Sequence, residues 1–99
     1  MIDILNWIQT WFLSQCNDVW EHSYGVKIDT LDNPGWSVVI DLADTNMEGK
    51  SIETISLNRT EDDWINCSTS DNQFKGYGGP QNLAEILSEF RKWAESAME

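Results

Sequence analysis

Residues 20–36, WEHSYGVKIDTLDNPGW, decide the fold of this chain. From Tyr24 to Asp29 apolar and polar side chains alternate, which is the period of a strand with one buried face. Residues 32–35 then supply a turn, because proline presets φ and glycine accepts a positive φ. The alternation resumes from Trp36 to Leu42. The sequence therefore predicts an antiparallel hairpin, which the rest of the chain covers or extends.

Residues 3–16, before the hairpin, predict a helix that Asp3 caps. One apolar side of this helix is predicted to face inward, and Trp7 and Trp11 form a second stripe that packs in the core. The residues of the inward side are Ile4, Leu5, Ile8, Phe12 and Leu13.

Pro80 predicts the opening of a second helix, because the N–H that proline lacks would be unpaired at that position. The apolar residues after it recur with a period near 3.6, which is typical of a helix that docks by one face. They are Leu83, Ile86, Leu87, Phe90, Trp93, Ala94 and Ala97.

Three short strands are predicted between the hairpin and the last helix, at residues 52–59, 64–69 and 73–77. In the first of them, Ile55 and Leu57 are expected to point inward. The sequence thus predicts one α+β domain over residues 1–99. Its sheet is an antiparallel four- to five-stranded β-meander, flanked by N- and C-terminal helices packed on one face. The other face of such a sheet can lie in water.

Charge restricts the partners of the chain. Seventeen acidic residues against six basic ones give a net charge of −11. The chain is too apolar and too regularly patterned for disorder, so we expect a folded protein with an acidic surface. Such a surface repels nucleic acid and anionic lipid and attracts basic proteins. Alternatively, the excess acid only keeps a small protein soluble.

Cysteine usage and the N-terminus predict a cytoplasmic protein. Cys16 and Cys67 lie far apart and form no CxxC motif, which favours free thiols in a reducing compartment. The apolar N-terminus lacks the basic region of an export signal, and no stretch is long enough to span a membrane.

The chemistry-bearing motifs are weak. Glu21 and His22 could form an acid–base pair, but neighbours on a strand point to opposite faces, and no nucleophile motif accompanies them. The glycines of residues 76–80 lack the spacing of a phosphate-binding loop, and the acidic clusters lack that of a calcium loop. We predict no catalytic residue, metal ligand or cofactor.

Three segments, Trp20–Val26, Thr30–Trp36 and Gly76–Pro80, resemble the immunity protein 53 family, and the resemblance extends from the first helix to Trp93. It implies a small cytoplasmic inhibitor from a bacterial polymorphic-toxin system. Such inhibitors bind a toxin domain delivered by neighbouring cells or made by the producer itself. Many of these toxins are nucleases with cationic clefts, which an acidic inhibitor is suited to cover.

The sequence predicts a non-enzymatic immunity protein that neutralises its cognate toxin domain by stoichiometric binding. The partner is expected to be basic, with a nuclease as the hypothesis that charge supports. Carboxylates on the open sheet face and in the turn after residue 60 are the expected electrostatic contacts, with two aromatic anchors. These residues are Asp29, Asp41, Glu61, Asp62, Asp63, Trp64 and Tyr77.

Two other classes stay open. One is a small enzyme that uses Glu21 and His22. The other is a module that binds a sugar or similar ligand on stacked tryptophans. A monomer and a weak dimer are both compatible with the sequence, because uncovered edge strands can pair.

Overall fold

A computed structural model, which describes residues 3–97, shows two layers: a five-stranded antiparallel sheet and helices on one of its faces. This confirms the predicted α+β class. The elements are α1 (Ile4–Gln15), α2 (Trp20–Ser23), β1 (Val26–Leu31), β2 (Gly35–Asp41), β3 (Ile55–Thr60), β4 (Asp63–Ser70), β5 (Gln73–Gly78) and α3 (Leu83–Ala97).

The strand order is β1-β2-β5-β4-β3, so the consecutive order implied by a meander is wrong at one point. The long connection at residues 42–54 carries the chain from β2 to the far edge of the sheet, and β5 returns to pair with β2. Consequently β5 lies in the middle of the sheet, and β1 and β3 form its two edges.

The predicted hairpin is confirmed, with Val26 opposite Ile40 and Ile28 opposite Val38. Its entrance differs from the prediction, because residues 20–23 form the short helix α2 and the strand begins at Val26. Trp20 is buried at the start of α2, where its Nε1–H donates to the carbonyl of Ala43 at 2.9 Å. Burial of this large ring takes precedence over continuation of the strand.

Two glycines let α3 approach β5 closely. A Cβ at Gly76 would collide with Cγ2 of Ile86, and one at Gly78 would lie 2.9 Å from Cδ1 of Ile86. The strand therefore presents only backbone to the helix at these two positions, and Ile86 is completely buried. The helix begins at Leu83 rather than at Pro80, and the carbonyl of Asn82 accepts the first helical N–H, from Ile86.

Aromatic rings fill the space between the two helices and the sheet. The ring of Phe90 in α3 lies 5.0 Å from that of Trp11 and 5.1 Å from that of Phe74, both in edge-to-face geometry. The rings of Trp7 and Trp93 also pack against Phe90, each with its centroid 6.0 Å from that of Phe90. The core position predicted for Trp7 and Trp11 is thus confirmed.

The inward face of α1 is rotated relative to the prediction. Ile8 and Trp11 are buried, whereas Leu5 and Leu13 are 53% and 70% exposed, and Phe12 also remains exposed. The tryptophan rings remove more apolar area from water than leucine side chains do, so they take the side that faces the core. An apolar strip of α1 is left in solvent as a result.

Strand β3 is shorter than predicted, since it begins at Ile55 rather than at residue 52. Leu57, expected to be inward, is 42% exposed. It points to the helix-covered face, but α3 packs mainly over β4, β5 and β2, and a groove separates the helix from this edge strand.

Both cysteines are free thiols. Cys67 is buried in the core, and this burial raises the pKa of its thiol to about 12. Desolvation and the nearby Glu21 carboxylate raise the pKa of the Cys16 thiol. Within residues 3–97, none of the helices combines the length and the apolar character needed to cross a membrane.

Candidate functional site

The sheet has one face packed against the helices and one open face. Val38, Ile40, Phe74, Ile65 and Cys67 occupy the packed face and are buried. Since side chains alternate along a strand, the residues between them belong to the open face. The strand registers place these open-face residues in rows, one of which contains Asp29, Ser37, Tyr77, Asn66 and Ser56.

Both predicted aromatic anchors lie on the open face. Five of the six tryptophans are buried in the core or packed against it, whereas Trp64 alternates with the buried Ile65 and so points the other way. Tyr77 alternates with Gly76 and Gly78 in the same manner. Both side chains are half-buried. They are large, rigid and partly in water, which is typical of anchor residues at protein interfaces.

Exposed carboxylates lie beside these aromatic residues. Asp29 is in the same row as Tyr77, and Glu61 and Asp62 form the turn that leads into Trp64. We call the five residues Asp29, Glu61, Asp62, Trp64 and Tyr77 the acidic–aromatic patch. Two lysines of the open face lie one row further from Trp64 than Asp29 and Tyr77 do. They are Lys27 and Lys75, on either side of Val39.

Asp41 lies on the open face but serves the fold. One of its carboxylate oxygens accepts the backbone N–H of Gly25 at 3.0 Å, and the other accepts Nε2 of Gln73 at 2.8 Å. It therefore ties β1 to β2 and β5 at one end of the sheet. Both oxygens are engaged, which makes Asp41 a weaker contact candidate than Asp29.

Asp63 is also engaged within the fold. Its Oδ1 accepts Nε and Nη2 of Arg59, at 3.0 and 2.9 Å, and Nδ2 of Asn82 at 2.9 Å. Arg59 and Asn82 each also donate to Glu85 at the start of α3. Hydrogen bonds from Arg59 lower the pKa of Asp63 and that of Glu85. This network joins the β3–β4 hairpin to α3 and engages one oxygen of the carboxylate predicted to contact a partner, so Asp63 also serves the fold.

Sequence reasoning missed Asn82, which is buried at the centre of this network. Besides its two donated bonds, its Oδ1 accepts the backbone N–H of Trp64 at 3.3 Å. Asn82 thus helps to place the strand that carries Trp64. An asparagine directly before an apolar helical stripe is a common N-cap signal, and it could have identified this residue.

Replacing Arg59 with methionine should lower the melting temperature at neutral pH and remove part of its pH dependence. Asp63 and Glu85 have lower pKa values in the folded state than in the unfolded state, where the pKa values are about 3.9 and 4.3. Their ionised forms therefore stabilise the fold fully at a pH above the unfolded-state pKa values. This stabilisation is lost as the pH falls through the folded-state pKa values. The gap in melting temperature between wild type and Arg59→Met should therefore narrow below about pH 4. Thermal unfolding followed by circular dichroism from pH 7 to 3 measures it.

The control is Lys92→Met, because the Lys92 side chain is 73% exposed where it contacts Glu89, at 3.2 Å. Such a pair contributes little, so this variant should follow the wild-type pH profile. A constant gap between wild type and Arg59→Met across the pH range would contradict the role given to the network.

The Glu21–His22 pair is not arranged as an acid–base dyad. The carboxylate oxygens of Glu21 accept the backbone N–H groups of Asn17 and Asp18, each at 2.9 Å. Backbone N–H groups, that of Glu21 itself first, lower the pKa of this carboxyl. His22 is exposed on the four-residue helix α2. Glu21 therefore closes the turn between α1 and α2.

A groove of about 570 Å³ separates edge strand β3 from α3. Trp93 lines it, but its ring is stacked against Phe74 at 6.3 Å and is half-buried. Sugar binding needs exposed aromatic faces, and this groove offers only part of one. Among the described residues 3–97 no group of three or more histidine, cysteine or acidic side chains is close enough to hold a metal ion.

Comparison with known proteins gave one match. A family model described as Immunity protein 53 matches residues 5–95, from the first turn of α1 to the last turn of α3. A search of the curated proteins and a search of the solved structures each gave no match.

Proposed function

The chain belongs to the immunity protein 53 family, and we propose that it neutralises a cognate bacterial toxin domain by direct stoichiometric binding through the acidic–aromatic patch. Membership in the family supports the immunity role. The patch is our own assignment, and it rests on one observation. Trp64 and Tyr77 do not contribute to the core, and they lie next to exposed carboxylates on the face that the helices leave open.

The composition of the patch suits a protein partner. Interfaces with high affinity place a few large rigid side chains at the centre and surround them with polar groups. Trp64 and Tyr77 would supply the centre, while Asp29 and the turn residues Glu61 and Asp62 would supply the rim. We propose that the toxin presents an apolar or aromatic surface to the centre and cations to the rim.

Charge supports a basic toxin. The net charge of −11 speeds encounter with a cationic surface at low salt and disfavours acidic partners. Nucleases carry cationic clefts to hold phosphate, so a nuclease domain is the class that we propose. Since both cysteines are free thiols, action in the cytoplasm, where such a toxin would meet its substrate, is part of the proposal.

The test begins with the C-terminal domain encoded by the gene upstream. It is expressed with and without this protein, and growth and co-purification are followed. We expect the domain to stop growth and this chain to restore it in a stoichiometric complex. If the domain is toxic but this chain neither rescues growth nor binds, the toxin is not its partner.

The rim is tested by association kinetics with the purified toxin. The double variant Glu61→Gln/Asp62→Asn should slow association about three- to tenfold at low salt, because rim charges act mainly on the association rate. A matched control, Glu53→Gln/Asp71→Asn, removes the same charge from exposed positions outside the patch. Equal effects of the two double variants, or binding that does not respond to salt, would refute a specific electrostatic role for the patch.

A further inference from the structure

Edge strand β1 has one row of backbone groups without a neighbouring strand among the described residues. The N–H of Asp41 donates to the carbonyl of Gly25 at 3.1 Å, which shows that Gly25 turns its backbone groups towards β2. Because this orientation alternates along an antiparallel strand, Lys27 and Asp29 also turn inward to β2. The outward N–H and C=O groups belong to Val26, Ile28 and Thr30.

Exposed apolar side chains lie on β1 and on the helix beside it. Ile28 of β1 and Phe12 of α1 are 40% and 37% exposed. Phe12, with Ile8 and Val26, lines a groove of about 230 Å³ between α1 and β1. Leu5 is 53% exposed and shares the helix face of Phe12, because the two are seven residues apart. An apolar surface beside a free strand edge marks an association site.

We propose that this edge binds a second copy of the chain, by antiparallel pairing of the two β1 strands about a twofold axis through Ile28. The outward backbone groups of Ile28 then pair with those of Ile28 of the partner subunit, and the two sheets join into one of ten strands. On the open face, Lys27 lies opposite Asp29 of the partner subunit. The same contact occurs twice, because the axis repeats it.

Charge selects this register over its neighbours. An axis through Lys27 would place two lysines opposite each other, and an axis through Asp29 would place two aspartates together. Like charges directly opposite each other destabilise a strand pair, whereas opposite charges stabilise it. The axis through Ile28 is the one of these three that pairs every charged residue of β1 with its opposite.

The helices next to the paired strands would add buried surface area to the dimer interface. A stable dimer buries about 1,200–2,000 Å², which a six-residue edge does not supply alone. A twofold axis perpendicular to the sheet keeps both helix layers on the same side, so the exposed strip of α1 borders the seam in each copy. Leu5 and Phe12 in that strip, with Ile28 below, would leave water on pairing.

The net charge of −11 on each copy opposes association, but salt screens charges beyond about 8 Å at physiological ionic strength. The contacts at the seam lie within that distance. Pairing would engage Asp29, so the part of the acidic–aromatic patch left for the toxin would be Glu61, Asp62, Trp64 and Tyr77. The dimer itself does not depend on toxin binding.

The test is the molar mass of the full chain, measured by analytical ultracentrifugation from micromolar to millimolar concentration. We expect a reversible dimer in the wild type. Lys27→Asp and Asp29→Lys should each raise the dissociation constant about tenfold or more, because each places like charges opposite each other. The double variant Lys27→Asp/Asp29→Lys should recover dimerisation, and a mixture of the two single variants should form a heterodimer.

Lys50→Asp is the matched control, since it changes the net charge as Lys27→Asp does at an exposed position beyond the other end of β2. Circular dichroism checks that every variant is folded, which we expect because Lys27 and Asp29 are exposed. A wild type that stays monomeric at all concentrations overturns the proposal. A dimer that Lys27→Asp leaves intact, or single variants that fail to combine, would assign dimerisation to another surface.

Discussion

Replacing Trp64 with alanine should weaken toxin binding by about 2 kcal/mol or more, which is roughly a thirtyfold rise in the dissociation constant. Trp64 is the one tryptophan of six outside the core, and it lies on the open face beside the acidic turn. A rigid ring of this size loses much apolar area on truncation, and its partner pocket is left unfilled. Titration calorimetry with the purified toxin measures the effect.

The loss should appear mainly in binding. Trp64 is half-buried on the open face and lies outside the core, so its truncation should lower the melting temperature by only a few degrees and leave the protein folded at the temperature of the binding assay. Asn58→Ala provides the control, since Asn58 is paired with Trp64 across the β3–β4 hairpin and has no anchor role. A Trp64→Ala protein that binds the toxin as tightly as the wild type would remove Trp64 from the interface.

The hairpin and the last helix were predictable because local signals agreed there. Period-2 alternation on both sides of residues 32–35 fixed the strand pairing, and the apolar stripe from Leu83 to Ala97 fixed the buried face of α3. Where each local preference agrees with the tertiary packing, sequence reasoning succeeds.

The errors occurred where tertiary packing decides between local alternatives. On α1, both the leucines and the tryptophans form plausible stripes, and contact with Phe90 selects the tryptophans. The strand order places β5 in the middle of the sheet, where Gly76 and Gly78 leave room for Ile86 of α3, and no local pattern expresses that contact. The helical turn at Trp20 likewise follows from burial of one ring.

The candidate site was predictable in part. Alternation predicted Asp29 and Asp41 on the open face, and the strand registers place both there. It could not show that Asp41 and Asp63 would be held by internal hydrogen bonds, because their partners Gln73 and Arg59 come from other strands. Net charge gives the sign of a surface but not which carboxylates are free.

Replacing Phe90 with alanine should destabilise the protein by about 3–5 kcal/mol, the usual cost of removing a fully buried aromatic ring. The ring of Phe90 contacts both helices and the sheet, with Trp11 at 5.0 Å and Phe74 at 5.1 Å. The free energy of unfolding of a small domain is about 5–15 kcal/mol in total, so the variant should be partly unfolded at growth temperature. Urea unfolding followed by tryptophan fluorescence measures the change.

Leu13→Ala is the control, because Leu13 is 70% exposed on α1 and its truncation should destabilise the protein far less. A Phe90→Ala protein within about 1 kcal/mol of the wild type would refute the central place given to this ring. The variant also separates fold from site. Phe90→Ala should again protect cells from the toxin at lower temperature, because a larger fraction of the protein is folded there. The binding defect of Trp64→Ala should persist at lower temperature, because this variant is folded and lacks the contact with the toxin.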